Sequence, residues 1–356
     1  MLPLINVGFD LNIFKTLSES SEPVSVEQIA KPFDADPILI SRIVRYLGAN
    51  GLIEETSQDH YIGNSQTKLL ADPVVQGALY HVFNVTMPAN QVLPKYLKEN
   101  KYQNKTNGYA PFNMSQNTEL AVFDWEKAEK REDLLKAYHC FMSLPRPTEW
   151  YDVYPMDNAG SRISEDKKVF VDVGGSTGHQ CRRLLAKYPE LKGRVVLEDL
   201  PQVIAVAAPI DGVEMIGYNM FEGQPVHGES LVPDNLNAMT ESETGAKYYY
   251  SRNVLHDWED DKCIEVLKNL VPALGPDSLI LLDGLVLPDS GAHWMAAGYD
   301  IQMFMMHGAT ERTLSQWTAL VEQAGLVVVD VKWYNRIGAN AIMEVALPTS
   351  CGAVQQ

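Results

Sequence analysis

The spacing of apolar residues changes near residue 155, and this change predicts two regions of different structure. Before it, apolar residues recur at the three- and four-residue spacing of helices. In SVEQIAKPFDADPILISRIVRYLGANG, Ser25 stands three residues before Gln28, a pattern typical of a helix start. Asp36-Pro37 opens a second predicted helix, which ends at Asn50-Gly51. The predicted apolar face of this second helix consists of Ile38, Ile40, Ile43, Val44 and Leu47.

The segment LIEETSQDHYIG after this helix predicts a small β-hairpin. Helix, turn, helix and hairpin together suggest a winged-helix unit, a type of unit that often binds DNA. Between Val24 and Lys68, however, acidic residues outnumber basic ones, and the second helix offers little beyond Arg42 and Arg45. Phosphate contacts need more positive charge than this. We therefore expect a dimerisation and scaffold unit that does not bind DNA.

From Lys167 onward, short apolar runs alternate with helical segments. The run KKVFVDVG is almost continuously apolar, as in a parallel strand covered by helices on both faces. Further strands are predicted in RVVLED, VEMIGYN, YYYSRNVL and SLILLDGLVL, and a closing antiparallel pair in LVVVDVKWY and NAIMEVAL. Helices are predicted from the first glycine turn to Tyr188 and in PQVIAVAA, DKCIEVLKNLVPAL and LSQWTALVEQAG. The polar stretch between Val226 and Lys247 is predicted to be a surface loop.

This alternation predicts an α/β fold, a Rossmann-like doubly wound domain over residues 156–356 that follows a helical domain over residues 1–155. The 356 residues are 46% hydrophobic and 21% charged, as in ordinary globular proteins. A net charge of −17 argues against nucleic-acid or acidic-membrane partners. The four cysteines lack metal or disulfide spacing, and no membrane span or signal peptide stands out. We expect a cytoplasmic protein without a metal.

A glycine-rich turn follows the first strand of the second region. VFVDVGGSTGHQ places Gly174, Gly175 and Gly178 where the backbone can approach a ligand closely. Asp172, just before the turn, would repel a pyrophosphate and suits a ligand that carries positive charge. Asp199 ends the next strand, where a carboxylate can bind both ribose hydroxyls. These features favour S-adenosylmethionine (SAM) as the cofactor, with a dinucleotide as the weaker alternative.

The ordered motifs DVGGSTG, EDLPQVI, SRNVLHDW, LVLP and ERT resemble those of the SAM-dependent small-molecule O-methyltransferases of plants and fungi. The similarity covers nearly the whole chain. It implies a helical dimerisation domain joined to a class I methyltransferase domain, and a homodimer that acts on a small molecule. The cofactor site implied by the resemblance comprises Asp172, Gly174, Gly175, Gly178, Asp199, Leu200, Asn219, Met220, Phe221, Arg252 and Trp258.

The stretch YYYSRNVLHDWEDDKC contains the candidate base, His256. A histidine at the end of an apolar strand is more often structural. In this family, however, an imidazole takes the proton of the attacking phenol or enol, and its ordinary pKa near neutrality allows this. The resemblance implies Glu311 as the carboxylate that supports the base, with Asp257 beside it. A second supporting glutamate of the family is replaced by Gly284, and neighbouring Asp283 should point to the opposite face of its strand.

Other departures from the family pattern concern the substrate pocket. His139 stands where plant members carry a substrate-facing asparagine, although it could merely touch the core of its helix. Asn219 replaces an acidic residue on the adenine side, and Tyr299-Asp300 replaces the Arg-Asp of many fungal relatives. Methionines 303, 305 and 306 form either a pliable apolar wall or ordinary helix core. The candidate substrate residues are His139, Met142, Tyr299, Asp300, Met303 and Met306.

Two reactions follow from these residues. In the first, His256 is the general base for methyl transfer to a hydroxyl of a bulky aromatic or polyketide-type secondary metabolite. In the second, the chain resembles a fungal offshoot of the family, the SAM-dependent pericyclases of pyridone-alkaloid pathways. There His139 would polarise the substrate for dehydration or cycloaddition, and the methyl group would not be transferred. The intact His256, Asp257 and Glu311 favour methyl transfer, whereas the second reaction is favoured by Gly284, Asn219, His139 and Tyr299. A non-catalytic winged-helix protein is the remaining alternative.

Overall fold

The structure is a computed structural model that describes residues 1–104, 108–122, 124–125, 131–143, 148–154, 156, 167–227 and 245–348. The side chains of His139 and Met142 and most of the predicted surface loop, residues 228–244, lie outside the described residues. The chain divides into two compact units, one of Met1–Arg146 with Met305–Gly308 and one of Pro147–Phe304 with Ala309–Gln356. The domain boundary at residue 155 stays a prediction.

The first unit is mainly helical, and a small antiparallel sheet in the order β1-β3-β2 is part of it. Its elements are α1 (Leu2–Asp10), α2 (Ile13–Glu19), β1 (Val24–Ser25), α3 (Val26–Ala30), α4 (Pro37–Ala49), β2 (Glu54–Ser57), β3 (His60–Ile62), α5 (Ser65–Leu70), α6 (Pro73–His81), α7 (Met87–Glu99), α8 (Pro111–Gln116) and α9 (Glu132–Ser143). The predicted hairpin is confirmed as β2 and β3. The name winged helix stays an interpretation of these elements.

The local start signals of α3 and α4 act as predicted. Ser25 and Gln28 form a reciprocal capping box, in which each side chain accepts a hydrogen bond from the other residue's backbone N–H. The carboxylate of Asp36 accepts a hydrogen bond from the backbone N–H of Ile38 at the start of α4. The prediction that Ile38 joins the buried face was wrong, because Ile38 is 75% exposed. It precedes the buried Ile40 by two residues, about 200° around the helix.

The second unit is a layered α/β structure. Its elements are α10 (Trp150–Val153), β4 (Phe170–Val173), α11 (His179–Lys187), β5 (Val195–Asp199), α12 (Pro201–Ile204), β6 (Val213–Gly217), β7 (Tyr248–Arg252), α13 (Asp260–Leu270), β8 (Leu279–Leu285), α14 (Trp294–His307, whose last three residues are grouped with the first unit), α15 (Leu314–Gln323), β9 (Val327–Asn335) and β10 (Asn340–Ala346). In the described part of the chain, seven strands form one sheet in the order β6-β5-β4-β7-β8-β10-β9. Strands β4 to β8 are parallel, and β10 is antiparallel to β9, as predicted. Strand β10 is also antiparallel to β8.

Two predicted elements are shorter than their apolar runs suggested. Helix α12 ends at Ile204, and Val206 beyond it is 80% exposed. The rest of PQVIAVAA therefore has little packing that would stabilise a longer helix. Strand β7 ends at Arg252 because Asn253 adopts a left-handed backbone conformation with φ of 50°. A 3-10 helix follows at Leu255–Asp257. His256 therefore lies in a turn and not at the end of a strand.

The parallel strands bring their carboxyl ends to one edge of the sheet. The glycine turn follows β4, Asp199 ends β5, and the turn with His256 follows β7. Ligands of open α/β sheets bind at this edge. A core of buried side chains from strands and from α13 and α15 lies behind it. No helix among the described residues has the length and apolar composition to cross a membrane.

Candidate active site

The glycine turn after β4 is shaped by the carboxylate of Asp172. A Cβ atom on Gly175 would lie 2.5 Å from both the carboxyl carbon of Asp172 and a methyl carbon of Leu197. Gly174 and Gly178 have φ angles of 74° and 83°, which side chains other than glycine rarely tolerate. The backbone N–H groups of Gly174 and Gly175 donate to the Glu198 carbonyl oxygen over 2.9 and 3.0 Å, which fixes the turn against β5.

Two buried carboxyl groups lie at this turn. Asp172 is 1% exposed and accepts a hydrogen bond from the Cys181 thiol, with 3.4 Å between Sγ and Oδ2. Glu198 is fully buried and accepts a hydrogen bond from Gln224 over 3.0 Å. Burial raises the pKa of Asp172 to about 7 and the pKa of Glu198 to about 7. A cation bound next to this turn would favour the ionised form of both groups.

Asp199 is oriented across the glycine turn by two backbone groups. Its Oδ2 accepts from the Ser176 N–H over 2.7 Å, and its Oδ1 accepts from the Leu200 N–H over 2.8 Å. The backbone N–H of Tyr218 donates to the Asp199 carbonyl oxygen over 2.8 Å, so that the loop after β6 lies beside Asp199. The carboxylate is half-buried and its lone pairs suit the two hydroxyls of a ribose.

An aromatic surface follows Asp199 on the side of β6. The rings of Phe221 and Trp258 meet edge to face, with 4.8 Å between their centroids and an angle of 75°. The side-chain oxygen of Asn219 accepts from the Phe221 N–H over 3.2 Å, and the Met220 carbonyl accepts from Asn269 over 3.2 Å. The structure thus brings four residues of the predicted cofactor site together, namely Asn219, Met220, Phe221 and Trp258. A ribose would fit Asp199, and an adenine would fit this ring pair. A cationic group would fit the buried Asp172.

Arg252 lies in a buried ion-pair network. Its side chain is 8% exposed, its Nη1 lies 3.3 Å from Glu149 and its Nε lies 3.3 Å from Asp283. Burial alone would lower the pKa of Arg252, but the nearby acidic groups, Tyr250 and Asp283 first, outweigh it and raise the pKa. Glu149 also pairs with Arg183. Contact between Arg252 and the cofactor stays a prediction. Glu149 could not be predicted from the sequence, because it lies 103 positions away from Arg252.

His256 is paired with a buried carboxylate. The distance from its Nδ1 to Glu311 Oε1 is 2.8 Å, and the distance from its Nε2 to Asp257 Oδ1 is 3.6 Å. Because a carboxylate only accepts, Nδ1 carries the proton and Nε2 of the neutral ring is an acceptor. Burial lowers the pKa of His256, but the hydrogen bond and charge of Glu311, with Asp257, outweigh burial and raise it. Nε2 can therefore take a proton from a hydroxyl group.

Two residues hold the pair of His256 and Glu311 in place. The backbone N–H of Glu311 donates to Asp300 Oδ1 over 2.9 Å, and burial raises the pKa of Asp300. The guanidinium of the buried Arg312 donates to the carbonyl oxygens of Leu255 and Trp258, which flank the turn that contains His256. This role of Arg312 was not predicted from the sequence, although the residue lies within the ERT motif.

Asp283 does not take the place of the second carboxylate that Gly284 lacks. Asp283 accepts hydrogen bonds from the hydroxyls of Tyr250 over 2.5 Å and Tyr334 over 2.6 Å, in addition to its ion pair with Arg252. The predicted orientation of Asp283, away from the base, is confirmed. Gly284 itself lines a small cavity together with His256 and Glu311.

The candidate substrate residues are only partly described. Within the second unit, Tyr299 is exposed and Met303 is half-buried. Met305 and Met306, grouped with the first unit, are buried like ordinary helix core. His139 and Met142 lie on α9, but their side chains lie outside the described residues. The pocket that these residues were predicted to form therefore stays a prediction.

His81 in the first unit is a buried histidine that was not predicted from the sequence. His81 is 5% exposed and stacks on the ring of Phe141, with 5.5 Å between the centroids. Burial, and secondly the charge of His307, lowers the pKa of His81 to about 4. No motif marks this residue, which follows an ordinary helical sequence at the end of α6.

Comparison with known proteins shows the family to which this chain is related. Residues 164–327 match the family model of the O-methyltransferase domain. Demethylsterigmatocystin 6-O-methyltransferase of Aspergillus parasiticus is 37% identical, over 93% of this chain and 82% of its own length. The structure of LepI in complex with SAM is 32% identical with a TM-score of 0.84, over 97% of this chain and 86% of the other. A structure described as "A Pericyclic Reaction enzyme" is 32% identical with a TM-score of 0.83, over the same shares.

The relationship extends over nearly the whole chain and therefore includes the helical first unit as well as the sheet. The predicted class I methyltransferase fold is confirmed, and so is S-adenosylmethionine as the cofactor. The chain is an enzyme that belongs to the SAM-dependent O-methyltransferase family.

Proposed function

We propose that this enzyme methylates a hydroxyl group of a bulky aromatic or polyketide-type secondary metabolite, with His256 as the general base. The observation that carries the proposal is the 2.8 Å hydrogen bond between His256 Nδ1 and the buried Glu311. It leaves Nε2 as the acceptor for the substrate proton and offers a negative charge to the imidazolium that forms. Asp257, at 3.6 Å from Nε2, adds a second, weaker stabilisation.

The remaining residues of the site bind and orient SAM. Asp199 holds the ribose, the rings of Phe221 and Trp258 hold the adenine, and the buried Asp172 compensates positive charge near the glycine turn. When bound, SAM supplies an electrophilic methyl group. The residues of the protein would hold the hydroxyl oxygen of the substrate next to that group. The relatedness to demethylsterigmatocystin 6-O-methyltransferase supports an oxygen atom of a small molecule as the acceptor.

The test is removal of the base. His256→Ala should lower the rate of methyl transfer about 100- to 10,000-fold, the usual contribution of a positioned base. Demethylsterigmatocystin and related phenolic polyketides are the first acceptors to try, with product mass as the readout. The exposed His293 provides the control, since His293→Ala should leave the rate unchanged. An unchanged rate in His256→Ala, with SAM binding intact, would contradict the assignment.

The cofactor assignment has its own test. Asp199→Ala removes the carboxylate proposed to accept two ribose hydrogen bonds, so SAM affinity should fall by roughly 1–3 kcal/mol. The control is Asp211→Ala, which removes an exposed carboxylate that pairs with Lys192. Calorimetry that gives equal affinities for both variants would contradict the role of Asp199.

A pericyclase is the second candidate, favoured by Gly284 in place of a supporting carboxylate and by the likeness to a pericyclic-reaction enzyme. In that reaction His139 polarises the substrate and the methyl group is retained. His139→Ala should then lower the rate roughly 100- to 1,000-fold, whereas His256→Ala should have little effect. A product of unchanged or dehydrated mass, with no SAM consumed, would favour this candidate over methyl transfer.

We also propose that the enzyme is a homodimer, associated through the first unit. Helix α4 exposes the apolar side chains of Ile38 and Leu39 to 75% and 51%, and burial of such a surface favours association. Light scattering at micromolar concentration should give twice the mass of one chain. A monomer would contradict the proposal. The cytoplasmic location, suggested by the cysteine pattern, stays a prediction.

A further inference from the structure

Three buried polar atoms belong to residues that line one small cavity beside His256. The cavity leaves about 20 Å³ for the centre of a water molecule, and its lining includes His256, Gly284, Asn253, Glu311 and Trp317. The three atoms are Asn253 Oδ1, Glu311 Oε2 and Trp317 Nε1. None of them has a hydrogen-bond partner among the described residues. Two of these atoms are acceptors and the third is a donor.

Buried polar atoms in folded proteins are almost always satisfied, because each unsatisfied one costs about 1–3 kcal/mol. A water molecule needs about 10–15 Å³ of such space and two to four polar partners. One water molecule can donate to Asn253 Oδ1 and Glu311 Oε2 and accept from the Trp317 N–H. Its hydrogen-bonding capacity therefore matches the three atoms one by one.

We propose that a single internal water molecule, held by Asn253, Glu311 and Trp317, positions the Glu311 carboxylate and through it the imidazole of His256. Oε1 of Glu311 is fixed by His256 Nδ1 at 2.8 Å, and the backbone of Glu311 is fixed by Asp300. The water fixes Oε2, so that the carboxylate cannot rotate away from the ring. Asn253 and Trp317 are positioning residues in this scheme. The inference rests on the proposed role of His256 as the base.

Gly284 has a specific place in this arrangement. A Cβ atom at residue 284 would lie 3.4 Å from Asn253 Oδ1. Apart from residues 283–285 themselves, no other described atom would lie within 4 Å of it. Residue 284 lies within β8, and its backbone is not in the left-handed region that demands glycine. The backbone conformation at residue 284 therefore does not require glycine. The absence of a side chain leaves room for the water molecule.

The first test separates volume from hydrogen bonding at residue 284. Gly284→Ala places a methyl group next to Asn253. Gly284→Ser instead adds a CH2–OH group, whose hydroxyl can replace the water molecule. Loss of one oriented hydrogen bond of about 1.4 kcal/mol predicts a roughly tenfold lower kcat for the alanine variant, with little change in KM. The serine variant should retain most of the rate. Equal losses in the two variants would overturn the proposal.

The second test needs no substrate. Trp317→Phe removes the only donor of the three atoms and keeps an aromatic ring, of smaller size, in the core. Proton NMR of the wild type should show a low-field signal from His256 Nδ1–H, and this signal should be broadened by solvent exchange in Trp317→Phe and Gly284→Ala. The serine variant should retain it. An undiminished signal in both Trp317→Phe and Gly284→Ala would overturn the proposal.

High-resolution crystallography of the wild type decides the water itself. We expect one ordered water within hydrogen-bond distance of Asn253, Glu311 and Trp317. An empty cavity, or an Asn253 amide bonded directly to Glu311, would overturn the inference and leave methyl transfer by His256 standing. Conversely, full activity of His256→Ala would overturn the proposed function even if the water is present. The two failures are therefore distinguishable.

Discussion

At the residue scale, the protonation of His256 is determined by two carboxylates of unequal burial. The side chain of Glu311 is 2% exposed and lies 2.8 Å from Nδ1, whereas that of Asp257 is 39% exposed and lies 3.6 Å from Nε2. Water screens the exposed carboxylate far more than the buried one. Glu311 is therefore the group that opposes the burial of the ring and keeps the imidazole able to accept a proton.

Replacing Glu311 with glutamine should lower the pKa of His256. In the wild type Glu311 together with Asp257 outweighs burial, and in Glu311→Gln burial becomes the dominant influence. An NMR titration of the His256 ring protons measures this change directly. Asp257→Asn is the matched control and should give a smaller decrease. A larger decrease in Asp257→Asn than in Glu311→Gln would contradict the ranking.

The glycine turn allows a second residue-scale prediction. Gly175→Ala should displace Asp172 or the turn itself, because the new methyl group would lie 2.5 Å from the carboxyl carbon of Asp172. We expect a loss of SAM binding, measured by calorimetry, and a lower melting temperature. Gly223→Ala is the control, since a Cβ atom there meets no described atom within 4 Å. Similar behaviour of the two variants would contradict the proposed role of the turn.

The role of a single residue could be predicted from the sequence where one short motif contains all the residues on which the prediction depends. The glycine turn, Asp199, His256 and Glu311 all lie within such motifs, and the structure places Glu311 against His256. Glu149, Arg312 and Trp317 could not be found in this way. Glu149 pairs with Arg252, 103 positions away, and Arg312 donates to Leu255, 57 positions away. The role of Trp317 depends on a cavity. None of these properties leaves a periodic pattern in the sequence.

At the element scale, strands β7, β8 and β9 are joined by one buried carboxylate. Asp283 in β8 accepts hydrogen bonds from Tyr250 in β7 and Tyr334 in β9, and pairs with Arg252 at the end of β7. The same strand carries Gly284 on its other face, towards the cavity beside His256. The network therefore fixes the strand that forms one wall of the cavity beside His256.

Removing the charge of Asp283 should destabilise the protein strongly. Asp283→Asn leaves Arg252 with less compensation in a buried site, and breaking a buried pair costs about 3–5 kcal/mol. Tyr334→Phe removes one hydrogen bond and should cost only about 1 kcal/mol. Urea unfolding of both variants measures the two values. A cost for Asp283→Asn no greater than that for Tyr334→Phe would contradict the importance of the ion pair.

The extent of most elements followed from apolar spacing, and the exceptions have local causes. The strand YYYSRNVL was predicted to continue towards His256, but the left-handed backbone at Asn253 ends it at Arg252. Ile38 matched the apolar composition of α4 but not the angle of its buried face. Composition thus predicts which segments are regular, whereas individual backbone angles determine where they stop.

At the scale of the whole molecule, two buried carboxyl groups affect the dependence of stability on pH. The pKa values of Asp172 and Glu198 are raised to about 7 in the folded protein, whereas unfolded carboxyls titrate at roughly 4. Their contribution to stability is fully present below pH 4 and is lost as the pH rises through about 7. The variant Asp172→Asn measures the effect of Asp172 alone on the free energy of unfolding.

Asp172→Asn should therefore stabilise the cofactor-free protein at pH 8 relative to the wild type, by on the order of 2–4 kcal/mol, and change little at pH 4. The amide can still accept the hydrogen bond from Cys181. Urea unfolding at the two pH values gives the difference directly. A variant destabilised at pH 8 would mean that other charges, such as Arg252, already stabilise the ionised carboxylate.

Cofactor binding should be linked to the same proton. The positive charge of SAM favours the ionised form of Asp172, so binding near pH 6.5, where this group is largely protonated, must release protons. Affinity should then rise between pH 6 and pH 7.5, and calorimetry in buffers of different ionisation enthalpy should report the protons released. In Asp172→Asn both the release and the pH dependence should diminish, while affinity at pH 7.5 falls because the compensating charge is gone. Equal proton release by the wild type and this variant would mean that the charge of the cofactor is compensated elsewhere, and Asp172 would then serve only to shape the glycine turn.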